Sequence, residues 1–323
     1  MNEALALLAY ALVVGTAAAA WLRRARWTRR APRLGVAAWQ ALSVSVLMSL
    51  LLAGVSVVVP TELVSTSLAE LLRACAMAIQ AQYATPGGAV LHAAAAAATI
   101  VLAVRTGYMY ARALTRARRQ AEQHLEGLTL AGRRDPSLGA LVVEHPTAAA
   151  YCLPGRSRTV VLTSAAVASL SPVELAAVLA HERAHLTGRH HLVLASAVAL
   201  SHSMPVLPIF RWAHHEQSRL LEMIADDRAA TTVGSRLTVA RALVRLAEGV
   251  LAPPAALGAT DVAAISRVER LLAPQRLLTA PARVGTACLT LAVLLLPVTI
   301  AAAPAGLAAW ADYCPISLGS SPN

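Results

Sequence analysis

The 323-residue chain contains no lysine; all 28 of its basic residues are arginines. It is also poor in aromatic residues, at 4%, and in charge of either sign, at 14%. A net charge of +11 would suit a polyanion such as nucleic acid, but the arginines concentrate at the ends of the apolar runs, so direct nucleic-acid binding is set aside. A cationic segment ahead of the first apolar run is missing too. That run follows Asn2-Glu3 and ends in Arg23-Arg24, with no small-residue cleavage site, so a retained span and not a removed signal peptide is expected.

Apolar sequence is what the chain has in excess. Hydrophobic residues fill 57% of it and the mean hydropathy is +0.58. Uncharged runs at 4–22, 34–61, 86–104 and 284–311 are each near or above the roughly 20 residues that cross a bilayer, which predicts four spans in contact with lipid. Six arginines lie between Arg23 and Arg33, and Arg105, Arg112, Arg116, Arg118 and Arg119 follow the third run. The 61–85 loop has only Arg73, and the tail beyond the fourth run has none. The positive-inside tendency then places both chain ends outside the cell and the block 111–283 in the cytoplasm. The expected organisation is three spans within 1–110, a cytoplasmic domain at 111–283, a fourth span at 284–311 and a short extracytoplasmic tail at 312–323. Of four cysteines, Cys75 and Cys314 share the outer side, either paired or as separate small apolar residues; Cys152 and Cys288 read as unpaired.

The cytoplasmic block reads as α+β. Arg112 to Leu128 is a polar helix leaving the membrane. Short apolar runs at 140–144, 149–153 and 159–163, separated by Glu144-His145-Pro146 and Pro154-Gly155-Arg156, predict a small antiparallel sheet. Ser171-Pro172-Val173-Glu174 is a capping box with proline at the first helical position, and Gly188 suits the far end, so a helix spans about 172–187. Further helices are expected at 216–232, stopped by Gly234, at 235–248 and at 261–272.

The chemistry lies on the capped helix, in His181-Glu182-Arg183-Ala184-His185. Histidines at i and i+4 share one face, so a single metal can take both, and the Glu182 carboxylate beside that face can accept a proton from water activated there. Glu222 offers a third ligand. Asp226, one turn further, can hydrogen-bond the outer nitrogen of a ligand histidine and fix its tautomer. A second pattern competes: His181, Glu182, His185, Gly188 and His191 also satisfy HExxHxxGxxH, in which His191 is the third ligand and Met204 a Met-turn. Ligand chemistry and chain context favour Glu222. The uncharged run 192–210 must not cross the bilayer, since a crossing would separate Glu222 from His181 and His185; Pro205, Pro208 and His202 support a buried or membrane-dipping helix that returns.

Tyr151 to Gly155, Thr159 to Thr163, Leu175 to His185 and Ser218 to Asp226 resemble the gluzincin core of HtpX-type membrane proteases, CAAX prenyl endopeptidases and the antirepressor peptidases of BlaR/MecR-type sensor-transducers. Three spans, a zinc domain and a fourth span resemble the BlaR/MecR arrangement most closely. The resemblance implies a mainly α polytopic membrane protein with a small α+β cytoplasmic gluzincin (HExxH) peptidase domain. It implies Zn2+ on His181, His185 and Glu222, Glu182 as catalytic base, and a cytosolic BlaI-type repressor as substrate. The penicillin-binding domain of those proteins has no counterpart here, so direct covalent sensing of a beta-lactam is not expected. In gluzincins the substrate lies extended along an edge strand, for which Thr159 to Thr163 is the candidate. An oxyanion donor is also expected, from among His202, His214, His215 and the arginines.

Overall fold

The structure, a computed structural model, describes residues 2–58, 88–155, 157–248, 257–274 and 277–312. The 61–85 loop with Cys75, and the tail with Cys314, lie outside them, and so does the pairing considered for those two cysteines.

Four helices are long and apolar enough to cross a membrane, at Asn2–Arg24, Pro32–Val58, Gly88–Ala131 and Ala280–Pro304, and they make this a membrane protein. The first is α1 (Asn2–Val13) and α2 (Ala19–Arg24), joined by a π-helical turn at Val14–Ala18. After a single turn, α3 (Trp27–Arg30), comes α4 (Pro32–Val58), the hub against which α1 and the two later spans pack. The third span opens α5 (Gly88–Ala131), and the polar helix expected at 112–128 is its unbroken continuation. Polar groups inside the bundle find partners there. The Ser45 hydroxyl donates to the Val293 carbonyl at 2.7 Å, Tyr10 donates to the same carbonyl at 2.9 Å, and Ser49 donates to the Leu7 carbonyl at 2.7 Å. With no water to compete in hydrocarbon, these bonds fix the register of the first, second and fourth spans.

A four-stranded sheet follows: β1 (Gly132–Asp135), β2 (Ala140–Val143), β3 (Ala150–Leu153) and β4 (Thr159–Thr163), in the order β1-β2-β4-β3. Two expectations are corrected here. The sheet is mixed, because β4 inserts between β2 and β3 and runs parallel to β2 while pairing antiparallel with β3. Thr159 to Thr163 is therefore a central strand, buried at every position, and cannot accept a substrate strand; β3, half-buried and paired on one side among the described residues, is the edge. β1 went unpredicted because Gly-Arg-Arg-Asp carries no apolar alternation.

After a short α6 (Ser164–Ser169), α7 (Pro172–Thr187) begins and ends where its capping signals place it. The Ser171 hydroxyl accepts from the Glu174 amide at 3.4 Å, while the Glu174 carboxylate accepts from the Ser171 amide at 2.9 Å. The run 192–210 folds as α8 (His190–Ser203), a break, and the start of α9 (Pro208–Val233), which extends eight residues earlier than periodicity alone suggests and stops at Gly234 in the left-handed region, φ 72°. Two further helices, α10 (Arg236–Glu248) and α11 (Leu257–Leu272), precede the last span, α12 (Ala280–Asp312).

The α8–α9 hairpin is packed into the spans. Leu200, Met204, Ile209, Phe210, Leu220 and Met223 share one buried cluster with Val14, Leu22, Trp39, Leu42 and Val46. Gln40 on α4 donates to Gln217 on α9 at 2.7 Å and to the Ser196 hydroxyl on α8 at 3.1 Å. Met204 is thus spent in this core and does not underlie the histidines.

Candidate metal centre

Three side chains from two helices meet at one point. His181 and His185, one turn apart on α7, bring their Nε2 atoms to 3.1 Å of each other, and Glu222 on α9 sets its carboxylate oxygens 3.5 Å from His181 Nε2 and 3.4 Å from His185 Nε2. Among the described residues this is the group of histidine, cysteine and acidic side chains able to hold a metal ion. The spacing fits a small tetrahedral ion, since bonds of about 2.0–2.1 Å place ligand atoms about 3.3–3.4 Å apart. The donor set, two imidazoles and a carboxylate, also fits zinc. His191, the competing ligand, lies outside the group, beside Arg118, Arg158 and Arg189.

The outer nitrogens of both histidines are engaged. His181 Nδ1 is 3.0 Å from Asp226 Oδ1, within ion-pair distance although poorly aligned for a hydrogen bond. His185 Nδ1 is 2.9 Å from Nδ1 of buried His190. With His185 Nε2 turned to the metal point, its Nδ1–H donates to His190, which fixes both tautomers. The turn that seats His190 explains Gly188: a Cβ there would stand 2.5 Å from His190 Nε2 and 3.0 Å from the Ala184 carbonyl. Arg189 then takes the left-handed conformation, φ 50°, to start α8. Sequence reasoning missed His190, because the HxxGxxH spacing directs attention to its neighbour. We expect His190→Leu to weaken metal affinity about 10- to 100-fold, and His190→Gln, whose amide can still accept, to restore part of it; equal chelator resistance in wild type and His190→Leu would remove the assigned role.

Arg267 on α11 was missed as well. Its Nε and Nη2 bond the Asp226 carboxylate at 2.9 and 2.6 Å, and its Nη1 reaches Glu222 at 3.0 Å. A fork of this kind orients both acids at once. Burial alone would raise the pKa of Asp226, but the bonds from Arg267 and the nearby His181 ring outweigh it and hold the carboxyl down at about 2. Glu222 is likewise kept below its ordinary range against the effect of burial. Burial opposes a charge on His181, yet the Asp226 and Glu222 carboxylates that face it lift its pKa to about 9, while burial drops His185 to about 4. The two carboxylates thus favour positive charge at the imidazole pair, which a metal ion bound in place of the His181 proton would supply.

Glu182 lies beside this group with its pKa raised, chiefly by burial. The Cys152 thiol on β3 lies near it; burial, reinforced by the Glu182 charge, pushes that thiol up to about 12, so it stays protonated. A cavity of about 230 Å³ opens in front, with Ala150, Val178, Leu243 and Leu246 as apolar walls and His181, Glu182, Glu222 and Arg267 as its polar side. The expected oxyanion candidates His202, His214 and His215 do not line it; Arg267 does.

A recessed metal point, a buried carboxylate beside it and an open edge strand alongside define a metallopeptidase site. Residues 114–226, from α5 through Asp226, match the model of peptidase family M48. That likeness supports a metallopeptidase, and members of the matched family depend on a metal that is typically zinc. No curated protein and no solved structure matches the chain.

Proposed function

We propose that this chain is an integral-membrane zinc endopeptidase that cleaves a cytosolic transcriptional repressor of the BlaI type in response to an envelope signal. The observation that carries the proteolytic reading is the His181–His185–Glu222 group with Glu182 beside it, facing an apolar cavity bounded by β3. His181, His185 and Glu222 would hold the metal, and Asp226, His190 and Arg267 orient them. Bound there, zinc supplies Lewis acidity that brings the pKa of water toward ~7. Glu182, its proton affinity raised by burial, would take a proton from the attacking water and pass it to the leaving amine. The substrate backbone adds to β3 at its free edge. Arg267, on the cavity wall, is placed to meet the charge that develops on the carbonyl oxygen.

The regulatory role rests on the resemblance of the span arrangement to the BlaR/MecR proteins. A quality-control or processing protease of the HtpX or CAAX type is the second reading, favoured by the match to a peptidase family. Cytosolic proteins are to be compared between cells carrying wild type and Glu182→Gln. A repressor fragment made only by wild type supports the first reading; wild-type-dependent loss of misfolded membrane proteins, with the repressor intact, supports the second.

Orientation is a separate expectation from the arginine asymmetry. A reporter fused after Arg119 should be cytoplasmic and one at the C-terminus extracytoplasmic; finding both on one side would put the fourth crossing in error.

A further inference from the structure

A second cavity, of about 600 Å³, lies at the other end of the catalytic helix. It is bounded by Leu114, Arg118 and Glu122 on α5, by Pro154, Gly155 and Arg158 after β3, and by Leu186, Arg189 and His191 around the α7–α8 turn. Arg118, Arg158 and Arg189 come from three separate elements, and all three bear on His191, whose pKa is lowered first by burial and then by these charges. None of the three side chains makes a hydrogen bond or ion pair among the described residues, and Glu122, the acid on the wall, is paired with none of them. Arg158 and Arg189 both hold positive φ, 42° and 50°. The three exposed arginines leave the wall of this cavity positive and their donors open to an anion.

The position of the cavity indicates which anion. β3 runs alongside α7: Ala150 shares the catalytic cavity with Ala177 and Val178, Cys152 meets Glu182, and Pro154 shares the arginine cavity with Leu186 and Arg189. From Ala150 to Pro154 an extended chain covers about 13 Å. A polypeptide added to the edge of β3 would therefore cross the apolar cavity, pass Glu182, and deliver a side chain two or three residues from the scissile bond among the arginines. We propose that the Arg118–Arg158–Arg189 cavity is a specificity subsite that takes an acidic side chain of the substrate on that flank. The inference rests on the endopeptidase reading above and adds to it a substrate class: an extended segment with an apolar residue at one side of the cut and aspartate or glutamate at the other.

The test uses the full chain in phosphatidylcholine nanodiscs. Cleavage-dead Glu182→Gln is titrated with fluorescent extended peptides carrying a Glu-Glu pair at successive positions, each against its Gln-Gln counterpart. One narrow window of positions should bind at least tenfold more tightly as glutamate. Arg158→Gly with Arg189→Gly, substitutions that suit positive φ and so preserve the fold, should bring the glutamate peptide down to the level of the glutamine one. Wild type should cut the favoured peptide with a lower KM and a similar kcat. Equal affinity of the two peptide sets overturns the subsite. A preference that vanishes when phosphatidylglycerol is added to the discs also overturns it and gives the cavity to a lipid headgroup. Binding preference without any cleavage by wild type would leave the subsite standing and remove the endopeptidase reading instead.

Discussion

Purified Glu182→Gln should retain its metal and lose peptide hydrolysis by about 10²- to 10⁴-fold in kcat. The expectation follows from where the carboxylate sits. Glu182 is outside the ligand group, so its replacement by an isosteric amide leaves His181, His185 and Glu222 untouched. What disappears is the proton acceptor, whose affinity for a proton is raised by burial. Turnover of a fluorogenic peptide, measured together with metal content, separates the two effects. A rate within tenfold of wild type at full metal occupancy would show that another group is the base.

Glu222→Ala is expected to have the second large effect, a collapse of zinc content under chelator competition, with His191→Ala close to wild type. Losing one of three protein ligands removes much of the affinity of such a site. The two positions are distinguished by geometry: Glu222 oxygens stand 3.4–3.5 Å from both imidazole Nε2 atoms, whereas His191 belongs to the arginine cavity. Arg267 keeps its bidentate partner Asp226 in the variant, so the fold around it has no unpaired buried guanidinium to accommodate. Zinc retained by Glu222→Ala and lost by His191→Ala would restore the HxxGxxH alternative.

The features legible in the sequence were those with a local code. The Ser171 capping box and Pro172 set α7 to the residue, the uncharged runs gave the four long apolar helices, and the i, i+4 spacing put both histidines on one face. The hidden features depended on contacts between distant segments. Strand β4 belongs between β2 and β3 only because of how the chain returns, and no alternation of apolar residues records a parallel partner. Arg267 sits on an amphipathic helix where a lone arginine reads as a solvated surface residue, and its partner Asp226 is 41 positions earlier. His190 was obscured by its neighbour, because a spacing motif cannot register the left-handed residue that rotates one ring inward and the next one away.

The Gln40–Gln217 bond has a practical consequence. Gln217 is little more than one helical turn from Glu222 on the same helix, and the cluster that buries Leu220 and Met223 is built half from span residues. Anchor and catalyst are therefore expected to unfold together. An excised segment 111–283 would expose Ile209, Phe210 and Leu220 to water and should aggregate. In the intact chain, the choice of detergent or acyl-chain length should tune metal retention, so that the solubilising medium becomes an experimental variable acting on the active site from the far side of α9.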